Sequence, residues 1–189
     1  MQVFNSIIRL KPLEESRRER FIRGNQEAFL YGATQEFGMR NDHFEEDSEI
    51  ISRRTIEAFL DADGAEAYEV MVGDAPIGGA VLRTDGAGCG SLDLLFVSPR
   101  CHSCGIGAAV WSDIEHLHPE VRVWKTMTPY FEKRNIHFYV NRCGFHIVEF
   151  FNEHHPEPHK SNRPASIQGN MEMLRFEKVV QHQCEEARE

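Results

Sequence analysis

Residues 92–109, LDLLFVSPRCHSCGIGAA, constrain this chain more than any other stretch. The run SLDLLFV at 91–97 is nearly all apolar, which predicts a strand buried near the centre of a sheet. Ser98-Pro99 ends it, because Pro99 has no N–H to give to a ladder. After a short loop, Gly105-Ile106-Gly107 opens a helix. A strand–loop–helix join of this kind aims several backbone N–H groups at one point, at the positive end of a helix dipole. It can hold a phosphate or pyrophosphate without basic side chains. Gly105 and Gly107 would let such a ligand approach the backbone, since neither has a Cβ. On the Gly-x-Gly alone, a purely structural turn is as well supported as an anion site.

The flanking sequence settles which kind of fold holds this join. An alternating stretch at 2–10 predicts a first strand and 13–31 a helix. Residues 38–47 are a polar, acidic loop, and Ser48 caps a helix running to Leu60. Strands are expected at 67–72 and 77–83, joined by the tight turn Gly73-Asp74-Ala75-Pro76. Behind Gly105 the helix carries Ile106, Val110, Trp111, Ile114 and Leu117 on one stripe, and Pro119 stops it. A strand at 121–127, a helix at 132–143 closed by Gly144, a strand at 145–151, a polar loop to 170 and a last strand at 171–180 follow. No repeat or composition break interrupts the order. The expectation is one mixed α/β domain over 1–180, with 181–189 a frayed tail.

Composition removes several function classes. A formal charge of −9, with no basic stripe, argues against a nucleic-acid binder. No apolar run reaches the roughly 18–20 residues that span a bilayer, and the N-terminus lacks the order of a secretory signal. Five cysteines, an odd number, fit a reducing compartment better than a disulfide framework. The protein is therefore expected in the cytoplasm, with no membrane partner.

No Gly-Lys-Ser/Thr follows the glycines, so the loop is not a Walker-type phosphate loop. The hairpin before it also speaks against a parallel dinucleotide-binding unit. Val97-Ser98-Pro99, the six-residue step from Pro99 to Gly105, and Asn135…Phe138-Tyr139…Gly144-Phe145 together resemble the GNAT family of acetyl-CoA-dependent N-acetyltransferases, over residues 67–151. The resemblance implies the acyl-CoA N-acyltransferase fold, with a mostly antiparallel sheet of six or seven strands flanked by about four helices. It implies acetyl-CoA as co-substrate, no metal, and transfer of its acetyl group to a primary amine of a small molecule by direct attack. In the family, the fourth strand splays from the fifth and its backbone pairs with pantetheine. Here that role falls to Leu95, Phe96 and Val97.

The resemblance further assigns the pyrophosphate loop to His102, Ser103, Cys104, Gly105, Ile106, Gly107 and Ala108. His102 departs from the family's Gln or Arg, which leaves a side-chain contact there open. Asn135, Phe138 and Arg142 would complete the cofactor site, and Tyr139 would protonate the departing thiolate. Five steps separate Tyr139 from Gly144 where the family commonly has four; either a wider turn or a one-residue shift accounts for it. Asp93 is the candidate base, with Glu132, Glu45, Glu46 and a water relay open as alternatives. Trp124, Thr126, Glu45 and Glu46 are candidate acceptor contacts, with core packing the equal alternative for Trp124. A homodimer joined through the last strands is also common in the family.

Two metal-like signals carry less weight. Cys101-His102-Ser103-Cys104 lacks the second well-spaced pair of a zinc site, and His154-His155-Pro156-Glu157-Pro158-His159 is a proline-broken polar loop. A non-catalytic acyl-CoA-binding module and a thiol or metal sensor remain the competing readings.

Overall fold

The computed structural model describes residues 8–32, 50–101, 105–157 and 172–180. Strand β1 (Ile8–Pro12) leads through a single 3-10 turn (Glu15–Arg17) into helix α1 (Arg18–Tyr31), then α2 (Arg53–Leu60). Three strands follow, β2 (Ala65–Val72), β3 (Ala75–Thr84) and β4 (Cys89–Val97). After another 3-10 turn (Pro99–Cys101) come α3 (Ile106–Leu117), β5 (Val123–Pro129), α4 (Lys133–Asn141), β6 (His146–Phe151) and β7 (Met173–Val179). These strands form one sheet of seven in the order β1-β2-β3-β4-β5-β7-β6. Among the described residues, only the β4–β5 pair is parallel. This is the mixed α/β architecture expected from the sequence, with seven strands and four α-helices among the described residues.

Two cores lie on the two faces of the sheet. Leu92, Trp111, Ile114, Trp124, Tyr139, Phe145 and Phe176 are buried under α3 and α4. Phe21, Ile22, Ile56, Phe59, Val81, Leu94 and Phe96 are buried under α1 and α2. Each such apolar side chain stabilises the fold by roughly 1.5–3 kcal/mol relative to exposure. Trp111 meets Trp124 edge-on, with centroids 5.3 Å apart. A Cβ on Gly90 would stand 2.5 Å from the Trp124 ring, so Gly90 lets that ring press on the backbone of β4.

Several element ends differ from the sequence expectation. Helix α1 begins at Arg18 rather than 13, because Leu13 gives its N–H to Ala67 O (2.8 Å) and the 3-10 turn comes next. Ser52 caps α2 by accepting from Thr55 N at 3.1 Å, so the helix is shorter than drawn from Ser48, which lies outside the described residues. Strand β5 begins two residues late, since Arg122 N–H and Val123 N–H both turn to Gly88 O. No helix among the described residues is long and apolar enough to cross a membrane.

Candidate functional site

The central feature is where β4 and β5 part. They pair from Cys89↔Val123 to Leu92↔Thr126 and no further, although β4 runs on to Val97 and β5 to Pro129. On its other side β4 stays on β3, but the register slips between Val81↔Leu94 and Leu82↔Leu92. Asp93 is the extra residue of that bulge. A bulge bends its strand and raises the local twist, here one step beyond the last β4–β5 pair. It also changes which face the strand presents: Leu92 belongs to the α3/α4 core, whereas Leu94 and Phe96 belong to the α1/α2 core.

Backbone direction along the opened part follows from alternation. Ser98 donates to Ile77 O on β3 at 2.7 Å. Phe96, two residues back, therefore also turns its backbone to β3, while Leu95 and Val97 turn theirs to the side β5 has left. This corrects the sequence expectation for Phe96. Its ring meets Phe21 edge-on at 5.0 Å, and its backbone belongs to the β3 ladder.

Helix α3 starts at the far end of the same opening. Gly105 is its N-cap, with φ +76, a left-handed conformation that favours glycine. Gly107 answers to a different constraint. A Cβ there would lie 3.0 and 3.2 Å from the Phe138 ring, so this glycine permits close packing of α3 on α4. Ile106 is buried and Ala108 half-buried. His102, Ser103 and Cys104 lie outside the described residues, as do Glu45 and Glu46. Of the CxxC pair, the described residues include Cys101 alone, which packs against the α3/α4 core. Among the described residues, no group of three or more His, Cys, Asp or Glu side chains is placed to hold a metal ion.

Helix α4 brings Asn135 and Tyr139 to β5. Asn135 Nδ2 donates to Thr128 Oγ1 at 3.3 Å. The Tyr139 hydroxyl bonds to Thr126, and Thr126 donates to Leu92 O at 2.9 Å. Because the single hydroxyl proton of Thr126 goes to Leu92, Tyr139 is the donor to Thr126. The phenol thus reaches the last residue pair before the strands separate. Its ring sits 5.6 Å from Phe145 and 5.5 Å from Phe176. Burial pushes its pKa up to about 12. Tyr139 is thus a core aromatic whose hydroxyl meets the opening.

The five-step interval to Gly144 is a wide turn. Cys143 N–H bonds to Phe138 O at 3.1 Å and Phe145 N–H to Tyr139 O at 2.9 Å, spans of five and six residues. Gly144 takes φ +78 to allow it. Arg142 is exposed just past the end of α4.

Two other sequence candidates are placed differently from expectation. Asp93 offers both carboxylate oxygens to Arg83, at 2.5 and 3.0 Å, and this pairing holds the Arg83 pKa above its ordinary range. As a base it would first have to leave a two-pronged ion pair. Trp124 is fully buried in the core, which removes it from acceptor contact. Arg83 and Thr128, partners of Asp93 and Asn135, left no sequence signal, because both pairings depend on cross-strand register and helix docking.

The opened parallel pair, the left-handed N-cap at Gly105 and the Asn135–Tyr139 face of α4 stand together with a sequence match. The model of the acetyltransferase (GNAT) family matches residues 33–145. The chain belongs to the GNAT acetyltransferase family. Acetyl transfer is the general activity that this membership carries. The chain is 45% identical over 151 residues to the uncharacterized protein YrkN of Bacillus subtilis, covering 79% of each. Its fold is similar to an acetyltransferase from Thermus thermophilus, with TM-score 0.63 and 14% identity over 92% of this chain and 97% of that one. It is also similar to a GNAT family acetyltransferase from Elizabethkingia anophelis with acetyl-CoA bound, with TM-score 0.59 and 14% identity over 93% and 99%.

Proposed function

We propose that this GNAT protein moves the acetyl group of acetyl-CoA to a primary amine of a small molecule, by direct attack within a ternary complex. The observation that carries the proposal is the parting of β4 and β5 after Leu92↔Thr126. An extended arm laid against Leu95 and Val97 would meet backbone groups spaced as in a neighbouring strand. The twelve-residue α3 offers its N-terminus to a pyrophosphate, with Gly105, Ile106, Gly107 and Ala108 supplying backbone N–H groups. In this reading His102, Ser103 and Cys104 complete the loop, and Asn135, Phe138 and Arg142 flank it from α4. The Elizabethkingia relative, which has acetyl-CoA bound, supports the choice of donor.

Acetyl-CoA supplies a thioester carbon open to attack by an amine. The chain's own groups do the rest. Thr126 and Asn135 fix the inner end of the opening, and Tyr139 carries a proton there. Held neutral by burial, its phenol can give that proton to a thiolate and regain it from solvent or product. Asp93 contributes by its pairing with Arg83, which secures the bulge.

Calorimetric titration with acetyl-CoA, with CoA and NADH as controls, tests the proposal. Saturable binding of acetyl-CoA and CoA is expected, and it should collapse in Gly105→Glu while the thermal melt stays cooperative. Among the described residues no atom lies within 4 Å of a Cβ added at Gly105, so the variant's cost is the backbone strain of a side chain at φ +76, about 1–2 kcal/mol, and not a clash in the core. Absence of binding by the wild-type protein would end this reading.

A further inference from the structure

Helices α1 and α2 pack on β2, β3 and β4. Beyond them, the same face of the sheet continues over β5, β7 and β6 and carries polar groups. Lys125 and Met127 of β5 lie on it, since Trp124, Thr126 and Thr128 between them turn to α3 and α4. Arg175 and Glu177 of β7 share it, because Leu174 and Phe176 enter the α3/α4 core and Lys178 pairs with Glu115 of α3. Met127 faces Arg175 and Arg175 faces Glu149 of β6, forming a row one residue beyond the last β4–β5 pair.

His155 stands at the β6 end of this row under three restraints. Its Nε2 is 2.9 Å from Glu149 Oε1, and the other oxygen of Glu149 accepts from Arg175 Nη2 at 2.8 Å. Its ring lies nearly parallel to Phe151, with centroids 5.7 Å apart and 12° between planes. The turn beneath it is fixed by Asn152, whose Oδ1 accepts from His154 N and His155 N, both at 2.9 Å. An ionised carboxylate only accepts hydrogen bonds. The nitrogen facing Glu149 therefore carries the hydrogen, and Nδ1 of the neutral ring keeps its lone pair. The side chain is 59% exposed, so solvent reaches the ring.

We infer that His155 is the proton acceptor for the amine substrate, oriented by Glu149, which Arg175 holds in place. The inference rests on the acetyl-transfer reading above. An alkyl amine arrives as an ammonium and must lose a proton before it can attack. That proton passes to His155 Nδ1, giving an imidazolium still bonded to Glu149, and leaves to solvent. The neutral amine then forms the C–N bond as the C–S bond breaks; Tyr139 protonates the departing sulfur and takes up the second nitrogen proton in its place. Strand spacing of about 4.8 Å puts β6 about 10 Å from β5, more than one water can bridge, so the proton travels from the amine to His155 along a short chain of waters. The charged groups linked to the ring are Glu149 of β6 and, through it, Arg175 and Glu177 of β7, and the titratable sequence neighbours of His155 are Glu153, His154 and Glu157.

Two probe amines test this, Nα-acetyl-lysine amide and glycinamide, whose ammonium pKa values are about 10.4 and about 8. At pH 7, His155→Gln should lower kcat/KM for the lysine derivative about 100-fold or more, and for glycinamide much less, with acetyl-CoA affinity unchanged. Nitrogen-15 NMR of the imidazoles, which needs no acceptor, should show the proton on Nε2 of neutral His155. Glu149→Gln should redistribute the tautomers, because an amide donates as well as accepts. A proton on Nδ1, an equal loss on both amines, unchanged rates, or bound acetyl-CoA with neither amine acetylated overturns the inference. Failure of the wild-type protein to bind acetyl-CoA instead sinks the acetyl-transfer reading.

Discussion

Replacing Tyr139 by Phe removes one oxygen and little else. The ring contacts to Phe145 and Phe176, at 5.6 and 5.5 Å, survive because they involve the ring and not the hydroxyl. Thr126 keeps its bond to Leu92 O, so no buried donor is orphaned. The stability cost should therefore be that of one neutral hydrogen bond, about 1 kcal/mol. For a chain of 189 residues this lowers Tm by about 2–4 °C. The catalytic cost should be larger, because loss of a proton donor is typically worth about 10²–10⁴ in rate, or about 3–5 kcal/mol at about 1.4 kcal/mol per decade. Free-thiol release under saturating acetyl-CoA gives the turnover, and calorimetry gives the affinity. The expected pattern is turnover reduced about 100-fold or more, with acetyl-CoA affinity within a factor of about three. A Tm lowered as above with turnover unchanged would show that the phenol serves only the core, and the assignment would fall.

Alkaline pH should weaken the fold between about pH 9 and 12. Burial raises Cys143 from 9.0 and Tyr139 from 10.0, each to about 12, so the unfolded chain ionises first as pH rises. Urea unfolding should show this stability loss, about 1.4 kcal/mol per pH unit for each group once its unfolded pKa is passed. A flat profile between about pH 9 and 11 contradicts it. Asn25 is fully buried on α1, and among the described residues neither of its amide atoms has a hydrogen-bond partner. Asn25→Leu should raise the urea midpoint by an equivalent of about 1–3 kcal/mol, and a lowered midpoint would mean the amide is satisfied by bound water. Glu69, almost wholly buried on β2, receives Arg17 at 2.9 Å and Arg20 at 2.8 Å. Glu69→Gln should cost roughly 1–3 kcal/mol in the same assay, whereas a loss under about 0.5 kcal/mol would mean that solvent screens both pairs.

Local sequence was enough for the elements and for the glycine-lined join. Apolar spacing and breakers such as Pro99, Pro119 and Gly144 act within a few residues of where they stand, so strand β4, helix α3 and the end of α4 were legible one by one. The Val97-Ser98-Pro99 and Asn135…Tyr139 signals could likewise be read in place, since a motif on one strand–loop or one helix face needs no knowledge of its neighbours. Side-chain partnerships are different, because they depend on which strands lie side by side and in what register. Asp93 looked like an unattached carboxylate until the bulge opposite Val81 and Leu82 set it against Arg83, ten residues away. Trp124 could equally have faced an acceptor or the core, and Gly90 on the adjacent strand decided for the core by giving its ring room. His155 read as part of a solvated, proline-broken loop. Only the pairing of β6 with β7 brought Arg175, Glu149 and the imidazole into one line, because contacts between residues about twenty positions apart in sequence form only when the sheet does.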